Sequence, residues 1–458
     1  MKKLLFWLLI VVLSVSMIAT FALAGCKTEE AAAVEEEEEA AAVEEVKEEA
    51  EEIAIRFVIK TWSKDQTDNY ELLIEKFEAD NPNIKIDLVI IPWGQEYEKF
   101  TSMIISGDIP NVAESVDSEV GLFDELNIML PLTDDQISEL KGMGLDQSAF
   151  DVSTYVDGKI YNFSWLSWMY NIIYRKDLFQ EAGISVPKTT DELLEAAQKL
   201  TNPSEGTYGF SWRGAGGLST MMPIILTYIG QASWFDKDGN CLLDTPEGIA
   251  ALQWYYDLYK TASPPESTTW GYAELIEAFW AGSTAMYANT TETVPPSIKK
   301  LGEDNIGVFK YPAGPSGKRF NLFSYLGYTR FKSGDTAKDE AGWKFLKYLL
   351  SEESLASWSG MSYAVPNAKA MDKIFEDELY KPFKEEYALI DVTPAFYPYF
   401  LPEWQGFEFR STSDIEAMVI GEKTPAEIAK KWADEFTPAM KNFMENNTGF
   451  NPVTQKME

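Results

Sequence analysis

The sequence predicts an α/β protein built as two lobes, and three observations carry that prediction. Strand-period and helix-period apolar patterns alternate from Ile53 onward, with no internal repeat. About 400 residues follow the N-terminal leader and spacer, more than a single hydrophobic core readily serves. No later apolar run approaches bilayer length, so this body is read as soluble.

The leader comes first. Met1-Lys2-Lys3 is a basic start, Leu4 to Ala22 is apolar, and Leu23-Ala24-Gly25-Cys26 closes the run. A cationic start, an apolar core and small residues before a cut site make a secretory signal. The ending resembles the lipobox of bacterial lipoproteins, which are cut just before a cysteine that then carries lipid. That resemblance implies a signal peptide over 1–25, lipidation of Cys26, and anchoring to the outer face of the bacterial cytoplasmic membrane. The alternative is a plain transmembrane anchor, since about 19 apolar residues nearly span a bilayer. Residues 26–52 are the lipidated Cys and a disordered Glu/Ala-rich spacer, with thirteen Glu against Lys27 and Lys47. Such a run cannot bury enough apolar surface to fold, and it repels itself into an extended form.

The body then opens with Ile53, Ile55, Phe57 and Ile59 in alternation, a first strand ending near Trp62. Tyr70, Leu73, Ile74 and Phe77 recur at helical spacing, and Asn81-Pro82-Asn83 stops that helix. Ile84, Ile86, Leu88 and Ile90 give a second strand closed by Pro92. Strand, helix and strand with short connections predict a right-handed βαβ unit in a mainly parallel sheet. Val156 to Phe163 reads as a small hairpin turning on Asp157-Gly158. Thr189-Thr190-Asp191-Glu192 is a capping box opening a helix with Leu193, Ala197 and Leu200 on one face. A further helix is predicted from about Asp339 to Trp358, with Ala341, Phe345 and Leu349 in register, and a strand is predicted to begin at about Ile172.

Composition narrows the chemistry. Net charge is −34, of which the spacer supplies −11, thirteen Glu less two Lys. An acidic surface repels phosphate backbones, so nucleic acid is excluded as a partner. The chain has no histidine, which removes the commonest general base and the commonest transition-metal ligand. Cys241 is the only cysteine besides Cys26, so neither an internal disulfide nor a thiolate zinc site is available once Cys26 is lipidated. No cofactor and no metal are expected. Asp236, Asp238, Asn240, Asp244 and Glu247 mimic a calcium loop, but Cys241 stands where its sharp-turn glycine belongs. A hairpin turn before a helix is the plainer reading. What the chain has in excess is aromatic residues: 14 Trp, 22 Tyr and 26 Phe, several beside Gly, Ser, Asn or Pro in turn-like segments.

Several segments together resemble the extracellular solute-binding proteins of bacterial ABC importers, in the carbohydrate-binding, maltose-binding-protein-like group. They are Phe77-Glu78-Ala79-Asp80-Asn81-Pro82, Ser106-Gly107-Asp108-Ile109-Pro110-Asn111-Val112, Asp157-Gly158-Lys159-Ile160-Tyr161, Tyr174-Arg175-Lys176-Asp177-Leu178-Phe179, Pro187-Lys188-Thr189-Thr190-Asp191-Glu192-Leu193, Phe279-Trp280-Ala281-Gly282-Ser283-Thr284-Ala285-Met286 and Tyr363-Ala364-Val365-Pro366. Asn111 replaces a usual Asp and Arg175 a usual Asn. The resemblance implies a two-lobed periplasmic-binding-protein fold (type II), each lobe a mainly parallel sheet flanked by helices, with the ligand cleft between lobes. It implies an N-terminal lobe of 53–166 plus about 327–375, and a C-terminal lobe of about 167–326 plus 376–458. It also implies a monomer without cofactor that passes a carbohydrate to ABC permease subunits.

Sugars offer an apolar ring face and a rim of hydroxyls, so a site needs aromatic platforms and short polar groups. Trp62 and Asp65 leave the first strand where the family's cleft lies, against the reading of Trp62 as a cap on the core. Asp117 sits where the resemblance puts a polar contact, and Trp165, Trp168 and Tyr170 precede the Tyr174 strand in the family's first crossing. Trp212 and Arg213 open a Gly-rich turn that can approach a ligand closely. Asn289, Thr290 and Glu292 follow the Ala285-Met286 strand, and Trp358, Tyr363, Trp404 and Arg410 come from later segments. Trp254 and Trp343 lie in helical patterns and read as core. The competing function is a lipid-anchored glycoside hydrolase, which needs only two carboxylates and no histidine. A sensor-associated binding protein is a third reading. For the anchor, Cys26→Ser is expected to release or mislocalise the protein without harming its fold. Membrane fractionation decides this, and undiminished attachment of the variant would sink the lipoprotein reading.

Overall fold

Among the residues that the computed structural model describes (51–145, 147–358, 393–395 and 397–458), nine strands join in one mixed sheet. They are β1 (Ile53–Thr61), β2 (Ile84–Pro92), β3 (Val112–Val116), β4 (Met129–Leu130), β5 (Asn162–Arg175), β6 (Met286–Thr290), β7 (Ile306–Phe309), β8 (Phe320–Phe331) and β9 (Thr393–Ala395). The leader, Cys26, most of the spacer and Tyr363 lie outside the described residues.

The first βαβ unit forms as its pattern predicts. β1 and β2 pair in parallel from Ile53↔Ile84 to Thr61↔Pro92, crossed by the helix Lys64–Asp80. The Ser63 hydroxyl caps that helix by accepting from the Gln66 amide, and Tyr70, Leu73 and Phe77 are its buried stripe. Those rings meet Phe57 of β1 and Phe345 of the helix Thr336–Leu349, with Phe57 and Phe345 centroids 5.1 Å apart. β3 pairs in parallel with the other edge of β1.

Beyond β3 the sheet departs from the mainly parallel arrangement expected. β3, β4 and β5 all pair antiparallel with β8, and β6 and β7 pair antiparallel with β5. The reason is that β5 and β8 are long strands running in opposite senses through the middle of the sheet. β5 begins at Asn162, ten residues before the start that its pattern suggested near Ile172, because a bulge between Ser164 and Leu166 breaks the alternation there. Residues Asn162–Met169 of β5 bond to β8, whereas Tyr170–Arg175 bond to β6 and β7. On the far side of that handover lies a second core of Ile173, Leu275, Phe279, Tyr287 and Ile306. A larger aromatic core sits under the helices Glu403–Val419 and Pro425–Asn446, where Trp234, Trp404, Phe407 and Phe436 meet at 4.6–6.1 Å.

Local details sort the remaining expectations. The hairpin at Asp157-Gly158 forms, with Gly158 at φ +82 and Thr154 bridging Ile160. Thr189 caps the helix Thr190–Lys199 by accepting from the Glu192 amide. The helix predicted over Asp339–Trp358 is instead two, Thr336–Leu349 and Glu352–Ser357, because Ser351 caps the second by accepting from the Ser354 amide. The Asp236 carboxylate accepts from the Asp238 amide, the Asn240 amide and the Asn240 side chain at 2.8–2.9 Å, and Phe235 bridges Cys241. That is a hairpin turn. Trp254 is core, its indole N–H donating to the Thr190 carbonyl, while Trp343 is half-buried beneath the Arg330 guanidinium. Trp358 is fully buried against Tyr70 and Trp165.

Gly327 marks where the crossing is tightest. A Cβ there would lie 1.6 Å from Asn162 Oδ1 and 2.7 Å from the Phe163 carbonyl oxygen. Gly327→Ala is therefore expected to destabilise the body by about 1–3 kcal/mol through overpacking. Urea unfolding of the two forms checks this, and equal midpoints would show that the strands can part without cost.

Candidate ligand-binding site

The carboxyl ends of β1, β2 and β3 open on one cavity of about 560 Å³, the side of an α/β sheet where ligands characteristically lodge. Trp62 follows β1, Trp93 follows β2, and Ser118 and Glu119 follow β3. Tyr170 and Ser324 come from the two central strands. Arg213, Tyr272 and the helical Glu408 and Thr412 close the other side. A smaller adjoining recess of about 60 Å³ shares Trp62, Trp93, Tyr170, Arg213, Tyr272 and Ser324 with this cavity and adds Trp168, Asn289, Thr290 and Glu292.

Three indoles line the recess. Trp62 meets Trp93 at 6.0 Å and Trp168 at 5.8 Å, and Trp93 meets Trp168 at 5.9 Å, all edge-on. The Trp62 amide is held by Gln66 Oε1, which fixes where the ring leaves the strand. Asn289 is 1% exposed, and its Oδ1 accepts from the Thr290 amide and hydroxyl. Its Nδ2 has no partner among the described residues, nor has Nε1 of Trp168, which is 7% exposed. Buried donors left unpaired cost about 1–3 kcal/mol each, a cost that acceptor atoms of a solute would offset.

Arg213 is placed by its turn. Gly214 packs so close that a Cβ would sit 1.8 Å from the Thr268 carbonyl oxygen, and Gly216 takes φ +67. The Arg213 Nε donates to the Ala215 carbonyl at 3.2 Å. Among the described lining residues Arg213 is the one cation, facing Glu96, Glu119, Glu274, Glu292 and Glu408. Desolvation pushes Glu408 up to about 7, helped by the charges of Glu96 and Asp117 and opposed by Arg213. Desolvation likewise raises Glu292 to about 7, with the Thr290 hydroxyl and Arg213 pulling it back, and it raises Glu96. Below the floor, the fully buried Lys60 ammonium pairs with Glu119. Neighbouring Glu114 accepts from the Lys60 amide at 3.0 Å and the Tyr70 hydroxyl at 2.5 Å; burial pushes it to about 7.

The expected site residues divide. Trp62, Trp168, Tyr170, Arg213, Asn289, Thr290 and Glu292 line the recess together. Trp165, Trp212 and Trp404 are fully buried instead: Trp165 stacks on Tyr328, Trp212 packs on Tyr255 and Tyr259, and Trp404 meets Trp234. Asp65 is exposed in the first turn of a helix, and Arg410 is an exposed partner of Glu435; neither lines the cavity. Asp117 faces a separate cavity of about 170 Å³, where it accepts from the Ser324 hydroxyl and burial raises it to about 7. Trp93, Tyr272, Glu96, Tyr397 and Glu408 line the main cavity without having been singled out. Trp93 carried the same signal as Trp62, an indole at a strand's carboxyl end before a turn. Glu408 carried none, because a glutamate within a helix reads as solvated.

This fold and this cavity point to a class: a binding protein whose sheet carries a solute-sized cavity at its strand ends. The chain matches the family model described as bacterial extracellular solute-binding protein over residues 63–356, and it belongs to that family. It is 26% identical over 333 residues to the Escherichia coli K12 protein YcjN, named for an ABC transporter periplasmic-binding role, covering 70% of this chain and 74% of that one. It is 24% identical over 391 residues to the diacetylchitobiose-binding protein DasA of Streptomyces coelicolor, covering 80% and 84%. The fold matches maltose-bound MalE3 of T. maritima with TM-score 0.73 at 22% identity, covering 84% of this chain and 99% of that one. Among the described residues no helix is long and apolar enough to cross a membrane.

The raised carboxyls carry a pH signature. Glu114, Asp117, Glu292 and Glu408 sit near 7 when folded, above their ordinary unfolded values of about 4. The folded protein thus holds protons that the unfolded chain has lost, so stability is fullest below the unfolded values and falls as pH rises through 7. The ligand-free melting temperature is expected to drop between about pH 5 and about pH 8, and less steeply in Glu292→Gln. A flat scan over that range would show these groups ionise as freely folded as unfolded.

Proposed function

We propose that this protein is the capture component of an ABC importer and that its solute is a carbohydrate, an oligosaccharide gripped between two lobes. The observation that carries the reading is the recess lined by three edge-on indoles and by two buried, unpaired donors, the Trp168 indole N–H and the Asn289 side-chain amide. Flat rings suit sugar faces, and unpaired N–H groups suit hydroxyl and ring oxygens. A cavity of about 560 Å³ falls within the usual range for small-molecule sites. The diacetylchitobiose-binding relative and the maltose-bound structural neighbour support the same class of solute.

The handover at Met169–Tyr170 supports lobes of 53–166 plus about 327–375 and of about 167–326 plus 376–458. Trp168 and Tyr170 then stand on one strand at the join, where closure of the lobes would be felt. The chain acts as a monomer, tethered through lipid on Cys26 and a spacer long enough to reach permease subunits at the same membrane. Family membership supports transport over hydrolysis.

A thermal-shift screen of mono- and oligosaccharides should find stabilising ligands, since a ligand bound only by the native state raises stability by mass action. Calorimetry on the hit should show Trp168→Ala weakened by roughly 1–3 kcal/mol, about ten- to hundredfold. Trp343→Phe, on a helix away from the cavity, should bind as the wild type does. Equal affinities for Trp168→Ala and wild type would reject this site, and an unchanged radius of gyration at saturation would reject the clamp.

A further inference from the structure

We propose that the solute is cationic: a glycan with unacetylated, protonated amino groups, its ring faces on the indoles and an ammonium between Glu96 and Glu408. This rests on the carbohydrate reading above and narrows it.

The charges around the cavity do not balance. Glu119 is neutralised from below by Lys60. Glu274 is exposed and accepts from the Gly271 amide at the start of its helix. Arg213 acts on both Glu292 and Glu408 and can compensate only one of them. Lys60 and the Gly94 amide also act on Glu96, but Lys60 is already paired with Glu119. Glu96 and one of that pair are therefore left without a cation of their own, and burial favours their protonated forms. Both Glu96 and Glu408 lose hydration in the cleft, and each is raised by that loss. Seating an uncharged solute over them would remove more water and offer no compensating charge. An anionic sugar would add repulsion. An ammonium would take the place of those protons and pair with the carboxylates as they ionise, and the rings of Trp93, Tyr170 and Tyr397 around the same space favour a cation further.

Acidic groups alone would not identify a ligand. The second observation is independent: Asn289 Nδ2 and Trp168 Nε1 are buried, unpaired and part of the recess lining. These are donors, so the solute must also bring acceptor oxygens into the recess. A polyamine has the charge but no acceptors. A neutral sugar has the acceptors but no charge. An amino sugar carries both on one ring.

The test is calorimetry on the full-length chain in detergent. The probes are matched sets, from monomer to tetramer, of glucosamine, N-acetylglucosamine and glucose, with spermidine alongside. The glucosamine series should bind at least about tenfold tighter than either neutral series, a gap of about 1.4 kcal/mol. That preference should shrink with added salt. Glu96→Gln and Glu408→Gln should each erode it severalfold, read as the ratio of amino-series to neutral-series affinity within each variant. Two variants on separate elements are used so that a folding defect in one leaves the other, and the wild-type panel needs neither. Neutral sugars binding as tightly as the amino series overturns the charge assignment and leaves the carbohydrate reading standing. Spermidine binding without any glycan, or no binding by any probe at millimolar concentration, overturns both.

Discussion

Met169 and Tyr170 are neighbours in one strand, yet the first bonds to β8 and the second to β6. The rest of the structure depends on that change of partner. A single continuous strand must serve two halves of the sheet, so its backbone bonds cannot be given up in either half without leaving buried amides unpaired. The bulge between Ser164 and Leu166 and the bare Cα of Gly327 let β5 and β8 lie close enough to make the crossing. Successive side chains of a strand alternate in direction, so Trp168 and Tyr170 share one face on either side of the handover. Both then line the recess. These recess-lining groups are thus placed by the same strand that joins the two halves of the sheet.

The floor of the cavity is polar where a simple core would be apolar. Lys60, on β1, reaches Glu119 beyond β3, while Glu114 ties the Lys60 amide to the Tyr70 hydroxyl and, through it, to Tyr328 on β8. A buried pair of this kind gains little net stability, because desolvating two charges costs much of what their attraction returns. Removing one partner is far worse, since the other charge is then stranded. The arrangement therefore fixes registration among three strands and the Glu119 turn, directly below the indoles.

The fold was legible where the pattern was local. The first βαβ unit, the Thr189 cap and the Asp157-Gly158 turn each depend on residues close in sequence and formed, although the return half of the Thr189 capping box did not, since the Glu192 carboxylate accepts from the Lys188 amide instead. Strand polarity beyond β3 was not legible, because β5 and β8 meet across more than 150 intervening residues and nothing local records which way they run. The site was half legible for a similar reason. An indole at a strand's end sits either over the core or over the cleft, and only tertiary packing chooses. Trp62 and Trp168 fell to the cavity; Trp165, Trp212 and Trp404 fell to cores that later segments complete. Glu408 was illegible altogether, since its helix reaches the cavity from near the far end of the chain.

The indole cluster also gives the molecule an optical property. Rings held edge to face at 5.8–6.0 Å are close enough to exchange excitation faster than they emit. Trp62, Trp93 and Trp168 therefore share excitation among themselves. A molecule that touches one of them is thus felt in the emission of its neighbours as well. The protein carries its own unlabelled signal of occupancy, written into the colour and lifetime of its fluorescence.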